Sequence, residues 1–435
     1  MLLVGQEFDP AGGPSILSRG GRIGTRGTEL GALTFSAGVD GIYDTSMGGL
    51  VLSPDGTLQQ VSGAGVEARA TLFGTHRWRR SSLGINYLGS YSEYTGNDYL
   101  NGTTQTLGLD FSKQHSKKLR TNLKLATGTS NRPYGAIAGF NGYGAAGALD
   151  ALDPNFIAVP VQELFNNRVN YVQGSVGFVY QQSSRLSFGL TASGYGVRRA
   201  AKGLGGTNGY LGGAEASYRV SKRSSVSVDY SFAHMEYPGS FGASDVHGLG
   251  IAYGRSVGRD WDFNLGVRIN RVESLGLARV ELDPVVAALL GQSSGVEAFY
   301  SLVALPGFSA RVSRRFRRGS LDFVGSKSIS PGNGLLLTSQ ATGFSGGYSY
   351  NGIRHWSLYG SAGYMGMSTL TRSSGKYSSF NAGFGVSRDI FRTIHVTSRW
   401  DFRDQLISVT NFGRTGSRVS VGLAWSSRRV PLAIW

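Results

Sequence analysis

Residues 106–128, TLGLDFSKQHSKKLRTNLKLATG, hold two alternating ribbons around a basic tip. Leu107, Leu109 and Phe111 alternate with Thr106, Gly108, Asp110 and Ser112. Past the tip, Leu119, Thr121, Leu123 and Leu125 alternate with Arg120, Asn122, Lys124 and Ala126. A period of two sends successive side chains to opposite faces of a strand, and the short QHSKK joint predicts an antiparallel hairpin. The medium on the apolar side decides the fold. In a soluble sandwich that side faces a dry core; in a membrane barrel it faces lipid, and the polar side lines a wet interior.

Composition narrows the choice. A soluble chain of 435 residues would normally divide into two or three domains, yet no linker marks a division. Charged residues make up 16% of the chain, low for a soluble protein of this size. No apolar run approaches the ~18 residues of a membrane helix; DPVVAALLG (283–291) is far too short. There are no cysteines, which excludes disulfides and thiolate zinc sites. The start, MLLVGQEFDPAGG, lacks the basic patch and long apolar core of a secretory signal, so an exported form would carry its leader outside this sequence. The net charge of +16 raises nucleic acid as a partner. The cations, however, cluster at short joints, RWRR (77–80), KK (117–118), KR (222–223) and RRFRR (314–318), between glycine-rich strands that supply no groove-reading element.

The hairpin pattern recurs along the whole chain. Leu33, Phe35, Ala37, Val39 and Tyr43 share one face, as do Val66, Ala68, Ala70 and Leu72. Leu186, Phe188, Leu190 and Ala192 alternate with Ser187, Thr191 and Ser193, and Trp261, Phe263, Leu265, Val267 and Ile269 with Asp262, Asn264, Arg268 and Asn270. The pattern predicts about 18 strands (16–18) of roughly 10–13 residues, a length suited to tilted membrane strands. They start near residues 31, 61, 83, 104, 119, 170, 185, 208, 224, 245, 260, 306, 320, 338, 355, 378, 392 and 417. Short joints alternate with longer loops, the arrangement of a membrane barrel with short periplasmic turns and long extracellular loops. Phe111, Tyr180, Tyr218, Tyr253, Trp261, Phe316, Trp356 and Trp425 fall near the short joints, where an interfacial girdle belongs. The middles of the apolar faces read as Leu, Val, Ala, Ile and Gly.

On this architecture the chain resembles Gram-negative outer-membrane β-barrels of the porin-like kind. The resemblance covers residues 31–427, with 1–30 as an N-terminal periplasmic extension and 428–435 as a tail in which Pro431 precedes the terminal Trp435. It implies an all-β, antiparallel up-and-down transmembrane barrel in the bacterial outer membrane. The implied partners are outer-membrane lipid, lipopolysaccharide and the barrel-assembly machinery; a homotrimer or polysaccharide-export partners stay open.

The same parity gives the inner wall. The expected pore-lining charges are Glu67, Arg69, Asp110, Arg120, Lys124, Glu215, Arg219, Asp229, Asp262, Arg268, Arg311, Arg315, Asp322, Arg399, Asp401 and Arg403. If the turns are symmetric, Asp110 lies opposite Arg120 and Arg315 opposite Asp322, as ion pairs bracing a wet wall. The resemblance implies that the connection at 129–168 is a constriction loop, offering Asp150, Asp153 and Glu163 to wall arginines, the alternative being an external loop packed on its neighbours, and the segment at about 273–304 is expected to cap the mouth. GYGAAG (142–147) matches the dinucleotide pattern by chance in a chain with 66 glycines and lacks its βαβ setting. The six histidines make no metal spacing; His395 is expected inward at mid-barrel, with Asp401 too far along the strand to orient it. No cofactor, metal or catalytic residue is expected. The leading function is passive passage of small hydrophilic solutes with mild anion preference, the alternatives being export of an anionic exopolysaccharide and a structural or adhesive barrel without conductance.

Overall fold

Each alternating run is a strand. The computed structural model describes residues 33–47, 61–96, 101–130, 168–200, 204–238, 242–281, 294–334, 336–370, 375–391, 393–408 and 412–427. The strands are β1 (Thr34–Met47), β2 (Val61–Arg77), β3 (Ser81–Tyr94), β4 (Gly102–Gln114), β5 (Leu119–Ser130) and β6 (Val169–Gln181). They continue as β7 (Leu186–Arg199), β8 (Thr207–Ser221), β9 (Ser224–Glu236), β10 (Gly242–Val257), β11 (Trp261–Glu281) and β12 (Ser294–Phe316). The last six are β13 (Gly319–Ser330), β14 (Ser339–Tyr350), β15 (Trp356–Thr369), β16 (Lys376–Asp389), β17 (Ile394–Ile407) and β18 (Phe412–Ser426). Every strand pairs antiparallel with its sequence neighbours, and β1 pairs with β18 from Ser36↔Ser426 to Asp44↔Arg418, closing an eighteen-strand barrel. Closure leaves no sheet edge around the ring, the condition for crossing a bilayer with strands. The proposed extension at 1–30, the tail at 428–435, and Asp150, Asp153 and Glu163 of the expected constriction loop lie outside the described residues.

The faces divide as the alternation demands. Phe188, Leu265 and Val421 are exposed on the outer surface, and Leu109 shares the outward register of exposed Leu125. A strand of 14 residues spans about 46 Å at about 3.3 Å per residue, enough to cross an apolar band about 25 Å tall even when tilted. Outward aromatics gather near the short turns: Tyr180, Tyr218, Tyr253, Phe316, Trp356 and Trp425 are exposed there. Arg314 lies 4.8 Å above the Trp261 ring and Arg388 5.2 Å above Trp356, cation–π contacts at the polar edge of the belt.

The belt differs from expectation on β13–β17, where Phe344, Tyr364, Phe380, Phe384 and Trp400 are exposed away from the turns. Glycines account for Phe344 and Phe384. A Cβ on Gly325 would meet Phe344 Cδ1 at 2.9 Å, and one on Gly360 would lie 3.9 Å from Phe384 Cδ2. Aromatic rings on one strand thus cover bare backbone on the next.

The eight turns at one end are two to five residues long; the connections at the other run from four residues to 38. Serine shapes the turns. Ser116 Oγ accepts from the Lys118 and Leu119 amides, Ser183 Oγ from those of Arg185 and Leu186, and Ser221 Oγ from that of Arg223. Each short turn contains Lys or Arg, against a single acid, Asp260.

One strand departs from the sequence reading. β12 starts at Ser294 rather than near 306, and β11 and β12 pair out to Glu281↔Ser294. The segment expected to cap the mouth is therefore largely a two-stranded ribbon. β12 stays with β13 only as far as Phe308↔Lys327, and Pro306 sits just past that parting, where a missing N–H costs no pairing to β13.

Candidate functional site

The inner wall is built by the residues that alternate with the apolar belt. Around β1, β2, β17 and β18 it is charged. Arg69 pairs with Asp40, Arg418 with Glu67, and Ser92 Oγ donates to Glu67 at 2.7 Å. Arg399 pairs with Asp401 at 2.6 Å, two residues along β17, and Arg403 is 3% exposed. Arg414 and Arg418 also face inward and are buried. Both were missing from the sequence-based set, although Val419 and Val421 facing lipid already put Arg418 inside. Five arginines thus meet four acids (Asp40, Asp44, Glu67, Asp401) in this sector among the described residues.

The remaining predicted charges form three further groups. On β4–β5, Asp110 stands opposite Lys124, not Arg120; Arg120 faces Gln114. The turn occupies 115–118 rather than centring on 115, so every partner shifts. Arg120 still lies in the field of Asp110. On β8–β11, Glu215 sits beside Asp229, which pairs with Arg268. Arg219 folds back on its own turn and donates to the carbonyls of Ser221 and Lys222. On β11–β13, Arg315 reaches Asp262 at 3.3 Å, with Ser320 rather than Asp322 as its β13 register partner. Asp322, opposite Ser313, lies in the fields of Arg311 and Arg315. Most inner cations therefore have a carboxylate near them, and these pairs brace the wall.

His395 is not at mid-barrel. It is the second residue of β17, beside a short turn, and Asp389 orients it: Nδ1 to Asp389 Oδ1 is 2.8 Å and Nε2 to Ser426 Oγ is 3.0 Å. The Ser–His–Asp order matches that of hydrolases, but both His395 and Ser426 are 0% exposed. No substrate reaches them; the contacts tie the β16–β17 turn to the last strand.

Toward the long-loop end the inner wall turns apolar, contrary to the expected wet lining. Val169, Tyr171, Tyr195 and Val197 form one cluster, Ala233, Met235, Tyr237, Val246, Val272 and Ile329 a second, and Leu336, Ala341, Met367, Tyr377 and Ile407 a third. The β13–β14 connection, residues 331–338, is seated in this collar. Gly332 and Gly334 have φ of +80° and +87°, and a Cβ on Gly332 would lie 1.6 Å from the Leu336 carbonyl oxygen, so only glycine fits. The Gly205 amide donates to Gly334 O at 3.1 Å on one side, while Leu336 packs with Tyr377 and Ile407 on the other. The strap thus touches the β7–β8 connection on one side and the ends of β16 and β17 on the other. Tyr237 OH and Thr338 Oγ1 are 2.6 Å apart, and Thr338 also reaches Ser244, which bonds Ser274 at 2.9 Å. Burial holds the Tyr237 phenol well above the usual tyrosine range, so it remains a neutral hydroxyl.

No protein-family model matches the chain, and no curated protein matches it in sequence. Among solved structures it is similar to Pseudomonas aeruginosa OccK9 (OpdG), at 12% identity and a TM-score of 0.42, over 91% of this chain and 98% of that one. The outer membrane protein opdK from Pseudomonas aeruginosa is similar at 11% identity and a TM-score of 0.40, over 91% and 98%. The ferric citrate transporter FecA in its unliganded form is similar at 12% identity and a TM-score of 0.41; there the match covers 87% of this chain but only 60% of FecA. At these identities and scores the likeness extends to barrel architecture alone. The fold rests on the strand pairing itself: a closed, all-β, eighteen-strand antiparallel barrel.

Proposed function

We propose that the protein is an outer-membrane channel that passes small hydrophilic solutes, with short turns in the periplasm and a mild preference for anions. The observation that carries the reading is the inner wall, where charged and hydroxyl side chains from around the ring are enclosed by an apolar outer belt. An eighteen-strand ring has the circumference for an aqueous passage. The pore-lining role of the sixteen wall charges belongs to this proposal. The anion preference follows from the excess of arginine in the β17–β2 sector. It is mild because neighbouring carboxylates offset most of the wall cations and a wall charge acts over only about 8 Å at physiological salt.

Reversal potentials in planar bilayers under a KCl gradient test it. Anion preference is expected, fading as salt rises and weakening in Arg311→Ala/Arg399→Ala. Clear cation preference would overturn the selectivity, and absence of conductance the channel.

A further inference from the structure

One register row runs inward across five strands. Asn122 on β5 pairs with Gly177, Gly177 with Thr191, Thr191 with Gly213, and Gly213 with Ser231 on β9. Polar side chains thus stand on every second strand with bare glycine between them. Adjacent strands lie about 4.8 Å apart, so the polar groups recur about every 10 Å, comparable with the length of a disaccharide. The glycines leave a recess: a hollow of about 100 Å³ lies over this row, lined also by Lys124, Glu215, Asp229 and Arg268.

Two further features describe what would fill it. Asn122 is 8% exposed and lines the hollow. The charged groups at the hollow are two of each sign, Lys124 and Arg268 against Glu215 and Asp229, with Asp229 and Arg268 already paired. An ionised solute would lose hydration there without gaining a net opposite charge. A hydroxyl both donates and accepts, so it can serve the Asn122 amide, the Thr191 and Ser231 hydroxyls, and the carboxylates that line the hollow alike. We infer that this trough binds a neutral, hydroxyl-rich solute of the short-oligosaccharide class. The inference rests on the channel reading and narrows it to a solute class.

Maltotriose is the probe, added to the full chain in planar bilayers and, separately, titrated calorimetrically into the detergent-solubilised barrel. Maltotriose is expected to block the KCl current in a saturable way and to bind in the calorimeter, whereas succinate at equal concentration should do neither. Asn122→Ala should weaken both readouts roughly fivefold to tenfold, the loss of one hydrogen bond. Gly213→Val should all but abolish them, because a Cβ there already meets Thr191 Oγ1 at 2.9 Å. Heat-modifiable gel migration checks that each variant is folded. Asn264→Ala is the control: an inward amide six residues from Asn270 along β11, outside the hollow, it should change nothing. A conducting channel that maltotriose neither blocks nor binds would overturn the trough and leave the channel standing. So would block and binding unaltered by both trough variants. Binding without any KCl conductance would uphold the trough and end the channel reading.

Discussion

Glu67 sits where the barrel closes, and its neighbours come from both ends of the chain. Arg418 of β18 and Ser92 of β3 bond its carboxylate, and Arg69, two residues along, holds Asp40 of β1. Removing one partner of a buried ion pair leaves the other charge uncompensated, a loss of about 3–5 kcal/mol. Glu67→Ala should therefore lower the temperature at which the barrel shifts to its unfolded migration on gels. Asp262→Ala breaks a half-exposed pair, worth under about 1 kcal/mol, and should barely move it. Equal shifts would remove the seam's special standing. Parity made the inward side of each of these residues legible from neighbouring valines and leucines. Their partners were not legible, because pairing depends on turn centres, as the Asp110↔Lys124 register shows, and on a seam joining residues some 350 positions apart.

At the level of elements, the strap at 331–338 is the piece expected to narrow the mouth among the described residues. It makes contacts from the β7–β8 connection to β17 and bends at two glycines of positive φ, of which Gly332 has no room for a side chain. Deleting 331–338 should raise single-channel conductance in planar bilayers. Gly332→Ala, which sets a Cβ against the Leu336 carbonyl, should do the same by unseating the strap; unchanged conductance in both would place the narrowing elsewhere. PGNG reads as turn chemistry in sequence. The inward course of the strap does not, since its seat is assembled from Tyr237, Met367, Tyr377 and Ile407, each on a different strand or connection. The start of β12 is hidden in the sequence for a related reason. From Phe299 to Leu305 it carries apolar side chains on both faces, Val303 inward and Leu302 outward, so period two is invisible there. Elsewhere, one wet face and one greasy face kept the alternation clean, and seventeen strand starts fell within about five residues of expectation.

At the scale of the whole molecule, the short-turn mouth is basic. Lys or Arg stands in each of the eight short turns, with Asp260 the single acid among them, while the opposite mouth carries the apolar collar and the strap. At about 0.15 M salt the field of these turns reaches about 8 Å, and at 1 M only about 3 Å. Anions should therefore accumulate at the short-turn mouth and be thinner at the other. A voltage that drives anions in through the turns should pass more current than the same voltage reversed, and the difference should vanish by 1 M KCl. Current–voltage curves on singly oriented channels measure it; a straight line at low salt would refute it. If that difference is measured, turn chemistry alone makes the proposed channel a weak diode.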